Sequence, residues 1–124
     1  MTTARVLLVE DEGLIRMVAA EALLDGGFEV VEAWNGDEAV RLLSGPDTFD
    51  VLFTDVRMPG VLDGMDVAIH ARSRHPTIPV LVVSGYAPNL VTRLGVLGPP
   101  VHFMRKPYSL AEVVDKLKHL VGAV

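Results

Sequence analysis

The chain has 124 residues, half of them hydrophobic, and a formal charge of −5, enough for one domain over residues 1–124 with roughly two-thirds of its unfolded surface buried. The acidic balance argues against non-specific nucleic-acid binding, which needs a basic face. Zero cysteines exclude disulfides and thiolate metal sites, and no apolar run approaches the ~20 residues that span a bilayer.

The start, Met1-Thr2-Thr3-Ala4-Arg5, leads into a strand-length run without the flanks of a signal peptide, so a cytoplasmic location with no membrane contact is expected. Val6-Leu7-Leu8-Val9 is the first strand and ends on Glu10 and Asp11. Leu14, Ile15, Val18, Ala19, Ala22 and Leu23 form a stripe at helical spacing, stopped by Gly26-Gly27. Phe28 to Ala33 is a second, more polar strand, and Glu38 to Leu43 a short helix stopped by Gly45-Pro46. Val51-Leu52-Phe53-Thr54-Asp55 is apolar up to its final acid, the pattern of a strand buried on both faces. After a loop comes a helix with Met65, Ala68 and Ile69 on one face. Val80-Leu81-Val82-Val83 closes on Ser84. Pro88 then introduces a fourth helix through Leu90, Val91 and Leu94, weakened by Gly95, Gly98, Pro99 and Pro100. Val101 to Arg105 closes on Lys106. A capping box at Ser109 and Glu112 opens a last helix whose buried stripe is Leu110, Val113, Val114 and Leu117.

Five strand–helix repeats of this size predict an α/β fold, a doubly wound parallel sheet with helices on both faces. Strand order does not follow from spacing; the flavodoxin-like 2-1-3-4-5 is one candidate. In open α/β sheets ligands sit at the carboxyl ends of the strands. Glu10, Asp11, Asp55, Ser84 and Lys106 all fall there, a set suited to a divalent metal and a phosphoryl group.

Each residue also has a plainer reading. Asp11 alone reads equally as a helix cap. Glu10 reads as a solvated strand end, Ser84 as a loop start and Lys106 as surface. Asp55 resists most, because an acid closing an apolar strand needs a partner or solvent. Five such residues at one sheet edge favour a site. The four histidines show no ligand spacing and read mostly as surface. Met65 and Met104 read as core filler.

Leu8-Val9-Glu10-Asp11-Glu12, Ala33-Trp34-Asn35-Gly36-Asp37-Glu38-Ala39, Thr54-Asp55-Val56-Arg57-Met58-Pro59 and Lys106-Pro107-Tyr108 resemble the receiver domain of two-component response regulators. The resemblance spans essentially the whole chain, with Ser84 between the last two motifs. It implies the flavodoxin-like order 2-1-3-4-5 with five helices. It also implies phosphorylation of Asp55 by a sensor histidine kinase or phosphotransfer protein, and a Mg²⁺ requirement. In the family the backbone carbonyl at the place of Arg57 binds the metal, and the place of Phe103 is that of a switch aromatic, although Phe103 also reads as core packing. Output through the fourth helix, fifth strand and fifth helix, toward a downstream protein or a second copy, is implied as well.

The chemistry agrees with that picture. Bringing a phosphoryl group to a carboxylate sets anion against anion, so a Mg²⁺ ion is expected. Asp11 and Asp55 suit direct ligation and Glu10 a metal-bound water, since Mg²⁺ takes few carboxylates and keeps waters. Lys106 supplies positive charge and Ser84 a hydroxyl donor for the developing oxygens. The expectation is a signalling switch rather than an enzyme acting on other substrates. Its alternative is a phosphorylation-independent interaction module of the same fold.

Two other classes fit less well. A flavodoxin needs a hydroxyl- and glycine-rich phosphate loop where Glu10-Asp11-Glu12 stands. A HAD-type phosphatase wants an acid where Arg57 stands. Against the family pattern, the loop Met58 to Gly64 is one residue longer, leaving the start of the third helix open. Ser84-Gly85-Tyr86 replaces a commoner pair, and Tyr86 is expected to shield the site from water.

Overall fold

The computed structural model describes residues 3–85 and 90–122, apart from the side chains of Leu90, Val91, Thr92 and Leu94. Tyr86 and Pro88 therefore lie outside the described residues. The apolar runs become β1 (Arg5–Val9), β2 (Glu29–Ala33), β3 (Val51–Asp55), β4 (Val80–Ser84) and β5 (Val101–Arg105). Between and after them come α1 (Gly13–Asp25), α2 (Gly36–Ser44), α3 (Gly64–Arg74), α4 (Leu90–Leu97) and α5 (Leu110–Leu120). All strand pairs are parallel, in the order β2-β1-β3-β4-β5, the flavodoxin-like arrangement.

The three central strands are buried almost throughout because helices cover both faces. Alternate residues feed two separate cores. Leu7, Val9, Leu52, Val80 and Val82 pack with Ala39 and Leu43 of α2 and with Met65 and Ala68 of α3. Val6, Leu8, Val51, Phe53 and Leu81 pack with Ala19 and Leu23 of α1 and with Val113 and Leu117 of α5. Val9 pairs with Thr54, Asp55 with Val83, and Ser84 with Arg105. This register brings Glu10, Asp55, Ser84 and Lys106 to one edge of the sheet.

Two helices present different faces from those their apolar residues suggested. In α1 the buried positions are Ala19, Ala20 and Leu23, while Leu14, Ile15 and Val18 are exposed. Burial begins only at Ala19, so the earlier part of the helix has no core beneath it. In α3 the buried set is Met65, Val67, Ala68 and Ala71, and Ile69 is exposed. At 100° per residue Ile69 falls just past the flank of that arc.

The α3 start is fixed by a reciprocal capping box. Asp63 accepts from the Asp66 N–H at 3.0 Å, and Asp66 accepts from the Asp63 N–H at 2.9 Å. The longer loop thus ends with the helix beginning at Gly64. Only glycine fits there, since an added Cβ would lie 1.8 Å from the Asp55 carbonyl oxygen. At α5, Ser109 caps the Glu112 N–H at 3.1 Å, and its hydroxyl meets the Glu112 carboxylate at 3.1 Å. Val113 and Leu117 are buried, with Leu110 and Val114 half-buried against the same core. Met65 is buried and Met104 half-buried, both in the core as expected.

The α4–β5 connection is held by one side chain. The Arg72 guanidinium donates to the carbonyls of Ile78, Leu97, Gly98 and Pro100 at 2.6 to 2.9 Å. Burial lowers its pKa by stripping solvation from the charged group. Among the described residues, no helix is long and apolar enough to cross a membrane.

Candidate functional site

Asp55 ends β3 with only 5 % of its surface exposed. One carboxylate oxygen, Oδ2, accepts from the Lys106 ammonium, and the other, Oδ1, accepts from the Arg57 N–H at 3.2 Å. Lys106 is brought there by β5, whose end is tied to β4 through Lys106 N–H donating to the Ser84 carbonyl at 2.9 Å. Burial opposes the Lys106 charge, but the hydrogen bond and charge of Asp55, then the charge of Glu10, outweigh it and raise the ammonium above its ordinary pKa.

Glu10 is 4 % exposed at the end of β1. Its N–H donates to the Ala33 carbonyl at 3.1 Å and its carboxylate accepts from the Glu12 N–H at 3.0 Å. Burial, a side-chain hydrogen bond with Asp11 and the charge of Asp55 push its pKa up to about 7, against the lowering effects of the Glu12 N–H and Lys106. Asp11 is half-buried beside it, and the helix-cap reading of Asp11 fails. Glu12 occupies the N-cap of α1 and makes no side-chain cap bond.

Ser84 is fully buried, and its hydroxyl has no hydrogen-bond partner among the described residues. A buried hydroxyl left unpaired is costly unless something else completes it. Phe103 is 41 % exposed on β5, which removes the core-packing reading. Tyr108 is half-buried against the second core, its ring edge-on to Phe53 at 6.4 Å. Burial raises its pKa, with Glu10 and Asp55 adding to that and Lys106 opposing it.

Three contacts near the site were not anticipated. Arg16 of α1 donates to the Glu10 carbonyl at 2.9 Å and to the Glu32 carboxylate at 3.2 Å. Arg93 of α4 grips Asp63, described below, and Ile15 lines an open depression with Lys106, Pro107 and Tyr108. A lone arginine among the apolar residues of α1 was the available signal for the first. The histidines are less exposed than expected: only His119 is fully at the surface, and His75 Nε2 is buried without a partner among the described residues. Among the described residues no three His, Cys, Asp or Glu side chains form a metal cage.

The site thus sets a buried carboxylate at the carboxyl end of the central strand against a lysine from the end of β5, with the buried Glu10 close enough to feel the charge of both. Residues 6–118 match the family model of the response regulator receiver domain. The chain belongs to that family. Its relatives include the sensor kinase CckA of Brucella abortus, 36% identical over 96% of this chain and 13% of that protein. The transcriptional regulatory protein PdtaR of Mycobacterium tuberculosis is 37% identical over 95% of this chain and 57% of its own length. This receiver therefore spans from about an eighth to just over half of those two relatives.

Solved structures agree. The receiver domain of the hybrid histidine kinase CckA superposes with a TM-score of 0.79 at 36% identity, covering 94% of this chain and 98% of that one. The chemotaxis protein CheY4 of Vibrio cholerae gives 0.85 at 28%, covering 96% and 99%. The receiver is a signalling module of two-component systems.

Proposed function

We propose that Asp55 is the phosphoacceptor of a signalling switch, charged by a histidine kinase or phosphotransfer protein with Mg²⁺ at the adjoining acids. The observation that carries this reading is the Lys106 ammonium seated on the carboxylate of a buried Asp55. In support stands the buried Ser84 hydroxyl at the same sheet edge, which has no partner among the described residues.

Asp11 and Asp55 would hold the ion directly, the Arg57 carbonyl would add an oxygen, and Glu10 would act through a bound water. The donors suit Mg²⁺, being hard oxygens with only two direct carboxylates. Glu10, raised first by burial and then by Asp11 and the charge of Asp55, supports the fit, since a cation beside these acids would stabilise its ionised form. When bound, the ion offsets repulsion between the anionic donor and the anionic acceptor.

In the transfer, an Asp55 oxygen forms a bond to phosphorus as the phosphorus–nitrogen bond of the donor phosphohistidine breaks, and the imidazole leaves with the electron pair. Lys106 balances charge on the phosphoryl oxygens, Ser84 donates a hydrogen bond to one of them, and the Arg57 N–H steadies Oδ1. Leu14, Met17 and Val18 are 71, 56 and 46 % exposed on α1. Ile15 beside them borders the open depression of about 410 Å³ that ends on Lys106. This apolar rim suits a helical partner presenting its histidine to Asp55.

Relatives named as a sensor kinase and as transcriptional regulators support a kinase upstream and protein contact downstream. We place the downstream contact on α4, β5 and α5, where Val96 and Phe103 are exposed. A phosphorylation-independent module is not favoured, because acids, hydroxyl and lysine are all present.

Acetyl phosphate with Mg²⁺ should add a single base-labile phosphate, read by intact mass. Labelling that persists in Asp55→Asn, or that ignores EDTA, would count against the assignment.

A further inference from the structure

Glu10 is fixed at three points. Its N–H is held by the Ala33 carbonyl of β2 at 3.1 Å, and its carboxylate by the Glu12 N–H at 3.0 Å. Its carbonyl, the oxygen of the peptide that joins it to Asp11, accepts from Arg16 Nη1 at 2.9 Å. A peptide is planar, so fixing that oxygen fixes the plane from which Asp11 departs. The same guanidinium donates from Nε to Glu32 at 3.2 Å, and its side chain is only 20% exposed. Arg16 thus spans α1, the exit of β1 and the end of edge strand β2.

We propose that Arg16 is a positioning residue for the acid pair: by holding the Glu10–Asp11 peptide it aims Asp11 for the cation, while Glu32 cancels its charge. This rests on the Mg²⁺ reading above. Glu32 matters because a bare guanidinium beside a cation site would repel the ion, whereas the ion pair anchors the loop without that penalty. The planar fork is needed, since two nitrogens of one rigid group, Nε and Nη1, must serve a carboxylate and a carbonyl at once. Lysine offers a single ammonium and cannot hold the same geometry.

Electrostatics and positioning predict opposite signs, which makes the inference testable. If Arg16 acted only as a charge, Arg16→Ala would tighten Mg²⁺ binding. If it positions Asp11, both Arg16→Ala and Arg16→Lys weaken binding, on the order of tenfold, as loss of a group that orients a metal ligand does. Calorimetric Mg²⁺ titration of the whole chain, without phosphodonor, reads this directly. Thermal unfolding in parallel confirms that each variant is folded at the titration temperature, and Arg16→Lys serves should Arg16→Ala unfold.

Weaker binding in the folded Lys variant supports the inference. Wild-type affinity in that variant, or tighter binding in Arg16→Ala, overturns it while leaving the metal site standing. A wild-type chain that binds no Mg²⁺ overturns the metal site itself, and the role of Arg16 with it.

Discussion

Arg93 sets both terminal nitrogens on the carboxylate of Asp63, at 2.7 and 3.0 Å, and so clasps α4 to the residue that caps α3. Asp66, the other half of the capping box, lies 3.6 Å from the same guanidinium. The first residue of α3 after that cap is Gly64, packed on the carbonyl of Asp55 and donating its N–H to the Val56 carbonyl at 2.8 Å. A short chain of contacts therefore runs from the Asp55 backbone to the middle of α4, independent of Ser84 and Phe103.

Removing the clasp should loosen α4 more than it lowers global stability. Both partners are about a third exposed, so Arg93→Ala is expected to cost about 1 kcal/mol or less. Amide exchange across Leu90–Leu97 should accelerate, and added salt should reproduce part of that acceleration in the wild-type chain. Burial alone would raise the Asp63 pKa, but the Arg93 bond and the Asp66 N–H bring it below its ordinary 3.8. The contribution of the clasp is thus complete above that value and is lost as pH falls through the lower, folded-state value. Unchanged exchange in Arg93→Ala would show that the pair restrains nothing.

Glu10 predicts a pH dependence of the opposite sign. Its carboxyl titrates near 4.5 in the unfolded chain and near 7 in the folded, metal-free one. Between those values the folded state holds a proton that the unfolded state has released, so stability falls as pH rises, by up to about 1.4 kcal/mol per unit. Glu10→Gln should flatten that slope in urea titrations without metal, and should be the more stable protein near pH 7. A wild-type stability that climbs from pH 5 to pH 7, with no difference in Glu10→Gln, would refute this.

Asp11 and Lys106 should separate cleanly in titrations. On the proposed metal site, Asp11→Ala would delete a direct oxygen ligand and is expected to weaken Mg²⁺ binding strongly. Lys106→Ala removes the cation that shares Asp55, so Mg²⁺ binding should hold or tighten while acetyl phosphate labelling or its transmission to α4 declines. Equal loss of Mg²⁺ affinity in both variants would contradict this division.

The strands and the gathering of the acids were legible because a parallel sheet buries its central strands on both faces. Val51 to Phe53 and Val80 to Val83 could be nothing else at that length, and the polar residues that end them had to share an edge. The faces of α1 were not legible, since Leu14, Ile15, Met17, Val18 and Leu24 are apolar yet exposed and period alone cannot rank them. The capping box at Asp63 and Asp66 was hidden in a glycine-rich loop, while Ser109 and Glu112 stood out before an apolar run. Arg72 and Arg93 reach partners 25 to 30 residues away, contacts that leave no periodic trace.

The switch itself makes the last prediction. The Ser84 hydroxyl is buried without a partner among the described residues, and a phosphoryl oxygen on Asp55 would complete it with a charge-assisted bond. Movement of Ser84 toward that oxygen opens space behind it. Phe103 lies on the neighbouring strand, 41 % exposed, where an inward turn would bury its ring. The gain from that burial is about 1 to 2 kcal/mol, enough to bias a two-state element. That element is α4, held at its C-terminal end by Arg72 and at mid-helix by Arg93. Phosphorylation should therefore change amide exchange most across Leu90–Leu97 and Val101–Arg105. Phe103→Ala, which still accepts phosphate but has no ring to bury, should lose most of that change. The coupling fails if those segments stay silent while α1 and the loop from Met58 to Asp63 respond alone, or if Phe103→Ala responds as the wild type does.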